Sequence, residues 1–472
     1  MPEELPTWDT GDTAWMLISC ALVLLMTPGL AFFYGGMVRM KSVLNMLMMS
    51  AASLAIVTIV WVLYGYSLAL TDDQGNGLIG SRDAFGLNDQ IFLGTECEEG
   101  VADCVAQAPA LAGTIPESVF VAFQLMFAII TVALISGAIA DRAKFGTWCV
   151  FVLIWVSVVY VPVAHWVFYF GSDTSVPGWI VDFGVNDFAG GTAVHINSGA
   201  AALALVLIIG KRKGWRRDPM RPHNVPFVML GAALLWFGWF GFNAGSAVGS
   251  NGLAGVTFLN TQVATAAATI GWLVVEKIRD GHFTTLGAAS GMVAGLVAIT
   301  PSCNTVNPIG AIAIGLIAGA LCCSALTLKF KLGFDDSLDV VAVHLVGGLA
   351  GTLLIGVFAT SDAPFGVDGL LYGGDAEQLG RQAVGAFAVM GYSFVVTLII
   401  GFILHKTMGF RVDEDSELEG IDVTSHGEAA YEFTAVGTPM ARPTGGGAGF
   451  GAHAPTPPAV GGMPGATPRV DA

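Results

Sequence analysis

The sequence predicts an all-α integral membrane protein. It is read as eleven transmembrane helices, an inverted five-helix repeat plus helix 11, with the N-terminus outside and the C-terminus inside. Three observations predict this class. Hydrophobic residues make up 54% of the 472-residue chain and charged residues only 12%, against about 25% charged in a typical soluble domain. Apolar runs long enough to span a bilayer recur along the whole length. Two matching strings, each ending in a histidine, stand in the fifth and tenth of those runs.

The first run covers about 14–37. The residues before it carry Glu3, Glu4, Asp9 and Asp12 and no Lys or Arg. A cleaved signal needs a basic leader, so this helix is expected to be retained. The second run, 43–70, leads into a long acidic loop, 71–116, read as a solvated surface. Cys97 and Cys104 lie in that loop, close enough for a local disulfide in an oxidising compartment. Runs at 117–140, 146–170 and 191–210 follow. Lys211, Arg212, Lys213, Arg216, Arg217 and Arg221 then form a basic loop, read as solvated, with anionic lipid or a regulatory protein as further readings. Five more runs, 225–249, 257–276, 284–301, 308–328 and 339–359, precede an acidic loop at 362–377 and the last run, 380–405. The 62 glycines suit close helix packing in lipid. Cys20, Cys149, Cys303, Cys322 and Cys323 fall within or beside the runs and read as small packing residues.

Basic residues set the orientation. With the N-terminus outside, every Lys and Arg except Arg82 and Arg381 falls in an inside loop or the C-terminal tail. Reversing the topology or dropping one helix scrambles this pattern. The transmembrane domain is therefore read as 1–410, with repeat halves at about 14–210 and 225–359. The stretch 411–433 is acidic and polar but contains Ile421, Val423, Tyr431 and Phe433, and is expected to dock on the inside face. Residues 434–472, rich in Gly, Pro and Ala, read as disordered.

Several function classes fall away. A net charge of −16 is no nucleic-acid signature. There is no phosphate-binding loop, dinucleotide fingerprint or nucleophile elbow, and no trustworthy metal-ligand spacing. The chain is thus expected to be neither an enzyme nor a nucleotide-driven pump, and to need no cofactor or metal.

The informative feature is the histidine pair. Asp187-Phe-Ala-Gly-Gly-Thr-Ala-Val-His195 and Asp336-Ser-Leu-Asp-Val-Val-Ala-Val-His344 each place a His eight residues after an Asp. The fifth and tenth helices run in opposite directions. A two-fold axis in the membrane plane then relates the halves and sets the substrate path at their interface. Small residues after each His, Ser198-Gly-Ala-Ala-Ala and Val346-Gly-Gly-Leu-Ala-Gly, let these helices approach. An ion in hydrocarbon costs tens of kcal/mol by the idealised Born estimate unless it sheds its charge. Ammonium can become ammonia; potassium and sodium cannot. An apolar pore holding an imidazole acceptor therefore selects ammonium. A His pair that only hydrogen-bonds within a helix bundle is the plainer alternative.

These strings carry a resemblance. Together with Phe123-Gln-Leu-Met-Phe127, Gly210-Lys-Arg, Pro222-His-Asn, Trp239-Phe-Gly-Phe-Asn-Ala-Gly-Ser246 and Ile421-Asp-Val-Thr-Ser-His-Gly-Glu428, they resemble the Amt/Mep/Rh family of ammonium transporters, on the Amt side, over about 12–432. The resemblance implies eleven helices, N-out and C-in, in the cell membrane, assembled as homotrimers with one pore per subunit. It implies ammonium or ammonia as substrate, with methylammonium as analogue, and a PII-type signal protein at the cytoplasmic face.

It also implies roles. Phe127 matches the outer gate aromatic and Phe242 the second gate ring. Ser246 matches the hydroxyl of the outer ammonium site and Asp187 the carboxylate beside it. His195 and His344 match the twin pore histidines. Each has a structural alternative: core packing for the Phe residues, a helix-end bond for Ser246, an N-cap for Asp187. Two positions depart from the family. Phe168 stands where the family has a vestibule Trp, with Trp166 and Tyr169 as candidate substitutes. Leu345 stands where many relatives have Gly. Two rival functions remain: an ammonium sensor signalling through the tail, and an Rh-like channel for a neutral gas.

Overall fold

Apolar runs become helices because the backbone must satisfy its own polar groups in lipid, and local polar residues set their ends. The computed structural model describes residues 6–95, 107–364 and 366–431. Among the described residues, ten helices are long and apolar enough to cross a membrane. In chain order, with a shorter apolar helix (α8), they are α1 (Thr10–Met37), α2 (Met40–Leu70), α3 (Glu117–Ile139), α4 (Phe145–Phe168), α5 (Gly191–Ile209), α6 (Val225–Gly245), α7 (Gly252–Asp280), α8 (Thr285–Ile299), α9 (Pro308–Leu332), α10 (Val341–Phe358) and α11 (Glu377–Thr407). Side chains of Asp9, Asn224, Asn251, Thr284 and Asn307 accept from backbone N–H groups to start α1, α6, α7, α8 and α9. A two-stranded hairpin, Leu111–Ala112 with Ile115–Pro116, precedes α3. Cys97, Cys104, Phe433 and residues 434–472 lie outside the described residues.

Glycines set the closest approaches. A Cβ on Gly231 of α6 would meet the Phe33 nitrogen of α1 at 2.3 Å, and one on Gly199 of α5 would meet the Leu345 nitrogen of α10 at 2.4 Å. Outward faces carry exposed Leu17, Ile59, Leu63, Phe237, Ile270, Phe387 and Phe402, side chains suited to lipid rather than water.

The basic loops are not all solvated. Arg212 is buried, and its guanidinium donates to both Asp335 oxygens at 2.9 Å and to Asp141 at 3.1 Å. Arg142, fully buried, donates to Ser337 Oγ and to the carbonyls of Gly210, Ala140 and Asp335. Arg39 approaches Asp141 at 3.4 Å. This network joins the α3–α4, α5–α6 and α9–α10 connections. Burial pushes the Asp335 carboxyl up, but hydrogen bonding and charge from Arg212, then the charge of Arg142, outweigh it and hold it below the usual carboxylate range. The 71–116 loop departs from the solvated reading too. Asp73 binds the His165 ring at 3.1 Å and the N–H groups of Gly75 and Gly77.

The tail segment docks on this same end. Asp422 accepts from the N–H groups of Leu44 and Asn45, within α2, at 3.0 and 2.8 Å. Glu417 accepts from Arg411 and from the Lys213 backbone, both at 2.6 Å. His426 Nε2 lies 3.0 Å from Asn45 Oδ1. Ile421 is fully buried, whereas Val423 is exposed rather than docked.

Candidate functional site

Both histidines sit in π-helical turns, His195 in Gly191–Ile196 and His344 in Val341–Leu345. The local sequences explain why. Asp187 Oδ1 accepts from the N–H groups of Gly190 and Gly191; Oδ2 accepts from the N–H groups of Thr192 and Ala193 and from the Thr192 hydroxyl. In the second half Asp336 accepts from the Val341 N–H at 2.7 Å. Five residues before each His the chain enters the left-handed region, at Gly190 (φ 109°) and Asp339 (φ 63°). Asp, left-handed residue and His thus recur at the same spacing in both halves. Gly suits such a backbone; Asp339 adopts it as one of the few side chains that tolerate it.

The two turns meet. His344 Nδ1 lies 3.2 Å from His195 Nδ1, with ring centroids 5.3 Å apart. At that separation one nitrogen carries the shared proton and the other accepts it. His195 stacks on Trp239 (centroids 5.4 Å), and its Nε2 is buried with no partner among the described residues. A cavity of about 10 Å³ lies against the pair, walled by apolar side chains including Leu30, Ile130, Leu134 and Phe242. That is close to the room one water needs. Leu345 turns its backbone onto Gly199, and Gly348 lies against the carbonyl of Gly191. The bulk at position 345 is thereby absorbed by a glycine on α5.

Above the pair two aromatic rings close the way. Phe127 and Phe242 stack with centroids 4.1 Å apart at 16°, both buried. Phe168 meets Phe127 edge-on at 6.1 Å. Phe127 and Phe168 line a vestibule of about 380 Å³ together with Asp187, Ser246, Gln124 and Asn304, and Phe242 faces the cavity on the histidine side. The Ser246 hydroxyl donates to the Phe242 carbonyl at 2.9 Å, which leaves its oxygen as an acceptor. Asp187 is 7% exposed, and both its oxygens are taken up by internal donors, so its first duty is to cap the turn that carries His195. Below the pair a second cavity of about 70 Å³ extends from His344 past Tyr34 to Asp339. Vestibule, stacked rings, imidazoles and inner cavity therefore lie in series.

Neither candidate substitute for the vestibule Trp stands free there. Trp166 donates to the Leu78 carbonyl at 2.9 Å and packs on Trp179 and Tyr392. Tyr169 donates to Asp72 at 2.8 Å and stacks on His165. Reading the sequence assigned no role to Trp239 or Asn304. The place of Trp239 in the same string as Phe242 was the available signal for the first, and nothing local marked the second; Gly199 lies in the small-residue string expected to bring the fifth and tenth helices together.

Comparison with known proteins places the chain among relatives. A family model described as Ammonium Transporter Family matches residues 14–431. An ammonium transporter of Mycobacterium bovis is 60% identical over 433 residues, covering 90% of this chain and 91% of the relative. One of Bacillus subtilis is 46% identical over 424 residues, covering 89% and 98%. Among solved structures, Candida albicans Mep2 superposes with a TM-score of 0.76 at 33% identity, covering 87% of this chain and 88% of that one. A solved structure of a sensor Amt protein gives 0.78 at 29%, covering 88% and 98%.

Proposed function

The chain belongs to the ammonium transporter family and carries ammonium across the membrane as a multi-pass membrane protein; we propose that the His195–His344 pair takes the proton from ammonium on the way. The observation that carries this reading is the 3.2 Å Nδ1–Nδ1 contact in an apolar cavity behind stacked rings. Ammonium gathers in the vestibule, where the faces of Phe127 and Phe168 attract a cation and the Ser246 oxygen accepts an N–H. It crosses between Phe127 and Phe242 only when one ring swings. In the dry cavity beyond, the charge costs more than the proton is worth, so ammonia proceeds and the imidazoles hold or pass the proton. Alkali ions have no proton to give up.

Eleven spans, N-out and C-in, with an inverted repeat, agree with the paired Asp-to-His turns and with close packing of α1 on α6 and α5 on α10. The resemblance supports a homotrimer and a PII-type partner at the basic end, where the 411–430 stretch lies. The sensor reading draws on the likeness to the sensor Amt protein.

The test is to record current and radiolabelled methylammonium uptake together in proteoliposomes of the purified protein. Uptake saturating with ammonium and insensitive to potassium is expected. Binding without flux sinks transport in favour of sensing. A current-to-uptake ratio of one charge per molecule, or none, decides whether the proton travels with the ammonia.

Phe168→Trp is expected to lower the half-saturation concentration by about two- to three-fold, with maximal uptake unchanged. Trp presents the stronger cation–π face, and such exposed contacts are worth roughly 0.5–1 kcal/mol in all. An unchanged or raised value would mean that position 168 does not meet the cation.

A further inference from the structure

The vestibule holds polar groups that the transport mechanism leaves unused, Gln124 and Asn304 among them. Asn304 stands in segment 300–307, between α8 and α9, and lines the vestibule with Phe127, Phe168, Asp187 and Ser246. It is 3% exposed, and its Oδ1 has no hydrogen-bond partner among the described residues. Buried carboxamides are rarely left so.

The segment is also held in place. Asn260 Nδ2 donates to the carbonyls of Cys303 at 2.9 Å and Val306 at 2.8 Å. The Phe188 N–H reaches the Pro301 carbonyl, and the Thr360 N–H reaches that of Thr305. Asn304 therefore cannot find a partner by shifting its backbone without breaking these bonds. The other acceptors nearby are occupied in different degree. Both Asp187 oxygens are filled by the turn they cap, and Ser246 offers only the oxygen left after its own donation. A half-turn of the carboxamide exchanges its oxygen and nitrogen, so the acceptor can be presented to the vestibule.

We propose that Asn304 is an ammonium ligand of the vestibule, its amide oxygen accepting one N–H of ammonium or a primary alkylammonium. The inference rests on the transport reading and adds a residue to its outer site. A neutral acceptor fits the task. It replaces one water of the cation's shell yet does not hold the ion as a carboxylate would, so the ion can move on to the rings. It also supplies a directed bond where Phe168 provides only a ring face and no N–H or oxygen of its own.

The test compares concentration dependence of methylammonium uptake, and its inhibition by ammonium, in proteoliposomes of the full chain carrying wild type, Asn304→Ala or Asn304→Asp. Asn304→Ala is expected to raise the half-saturation concentration about three- to ten-fold with maximal uptake unchanged. Asn304→Asp, nearly isosteric, is expected to lower it at neutral pH by a similar factor, because a charged acceptor bonds more strongly. A purely structural Asn304, or one satisfied by water, would instead lower maximal uptake or thermal stability and leave half-saturation within two-fold; that result overturns the proposal. If the alanine variant does not fold, an unchanged half-saturation in Asn304→Asp overturns it alone. A wild type without ammonium-inhibitable uptake would overturn the transport reading, and this inference with it, before any variant is compared.

Discussion

His195→Leu is expected to reduce methylammonium uptake by two orders of magnitude or more, with the protein still folded. The cavity against the pair has about 10 Å³ of room, and apart from the two imidazoles its wall is apolar. Leucine fills much of the volume of the lost ring without offering an acceptor. His344 then keeps its place but loses the partner at 3.2 Å that fixes which of its nitrogens bears the proton. General acid–base groups typically contribute about 10²- to 10⁴-fold, and a shuttle whose acceptor is gone should lose at least the lower figure. Uptake is measured against reconstituted protein of matched amount and elution profile. A variant retaining a third of wild-type uptake would show that ammonia reaches the inner cavity without this histidine, and the proton-transfer reading would fall.

The second large effect concerns folding. Asp335→Ala is expected to destabilise the protein by roughly 3–5 kcal/mol, the usual loss when one partner of a buried ion pair is removed. Arg212 makes three bonds to Asp335, two from the guanidinium and one from its backbone N–H, and Asp335 is fully buried. Without the carboxylate, Arg212 keeps Asp141 as its acidic partner, and Arg142 keeps Ser337 and backbone carbonyls. Because the folded Asp335 is held below the usual carboxylate range, its contribution is present above about pH 4 and is lost as pH falls through the folded value. The wild type should therefore lose thermal stability in detergent on acidification below about pH 4, and the variant should start lower and depend less on pH. Equal unfolding temperatures at neutral pH would show that the pair is replaceable by solvent.

The transmembrane architecture was legible because lipid imposes one rule on every residue of a span. The runs at 14–37 and 225–249 needed only apolar length to be recognised, and α1 and α6 occupy them. The histidines were legible because their setting repeats: Asp187 and Asp336 announce the same turn twice. What escaped is what depends on distant partners. Arg212 reads as one more cation in a basic loop until Asp335, more than a hundred residues away, is seen to close on it. The same holds for Asp73, a loop residue whose partner His165 lies on α4. Asn304 looks like an ordinary loop residue, since no local pattern says that its amide oxygen lacks a partner among the described residues. Trp166 was a fair candidate for the vestibule by spacing alone, but the Leu78 carbonyl and two aromatic rings claim it.

The π-helical turns carry a consequence for how the chain can vary. An α-helix advances about 100° per residue, and a π turn inserts one residue without advancing the screw by that amount. These turns open α5 and α10, so they set the rotation of everything beyond Ile196 and Leu345 relative to the Asp187 and Asp336 caps that start them. A wheel drawn from Gly191 or Val341 at a regular pitch puts the wrong face toward the neighbour. Deleting a single residue from one of these turns would restore the regular screw and swing the rest of the helix by about a quarter turn relative to its cap. Gly199 would leave Leu345, or Gly348 would leave Gly191, and the imidazoles would part. These two stretches should accept exchange of side chains of like size far more readily than any change of length, which makes chain length, rather than residue identity alone, part of what defines the pair.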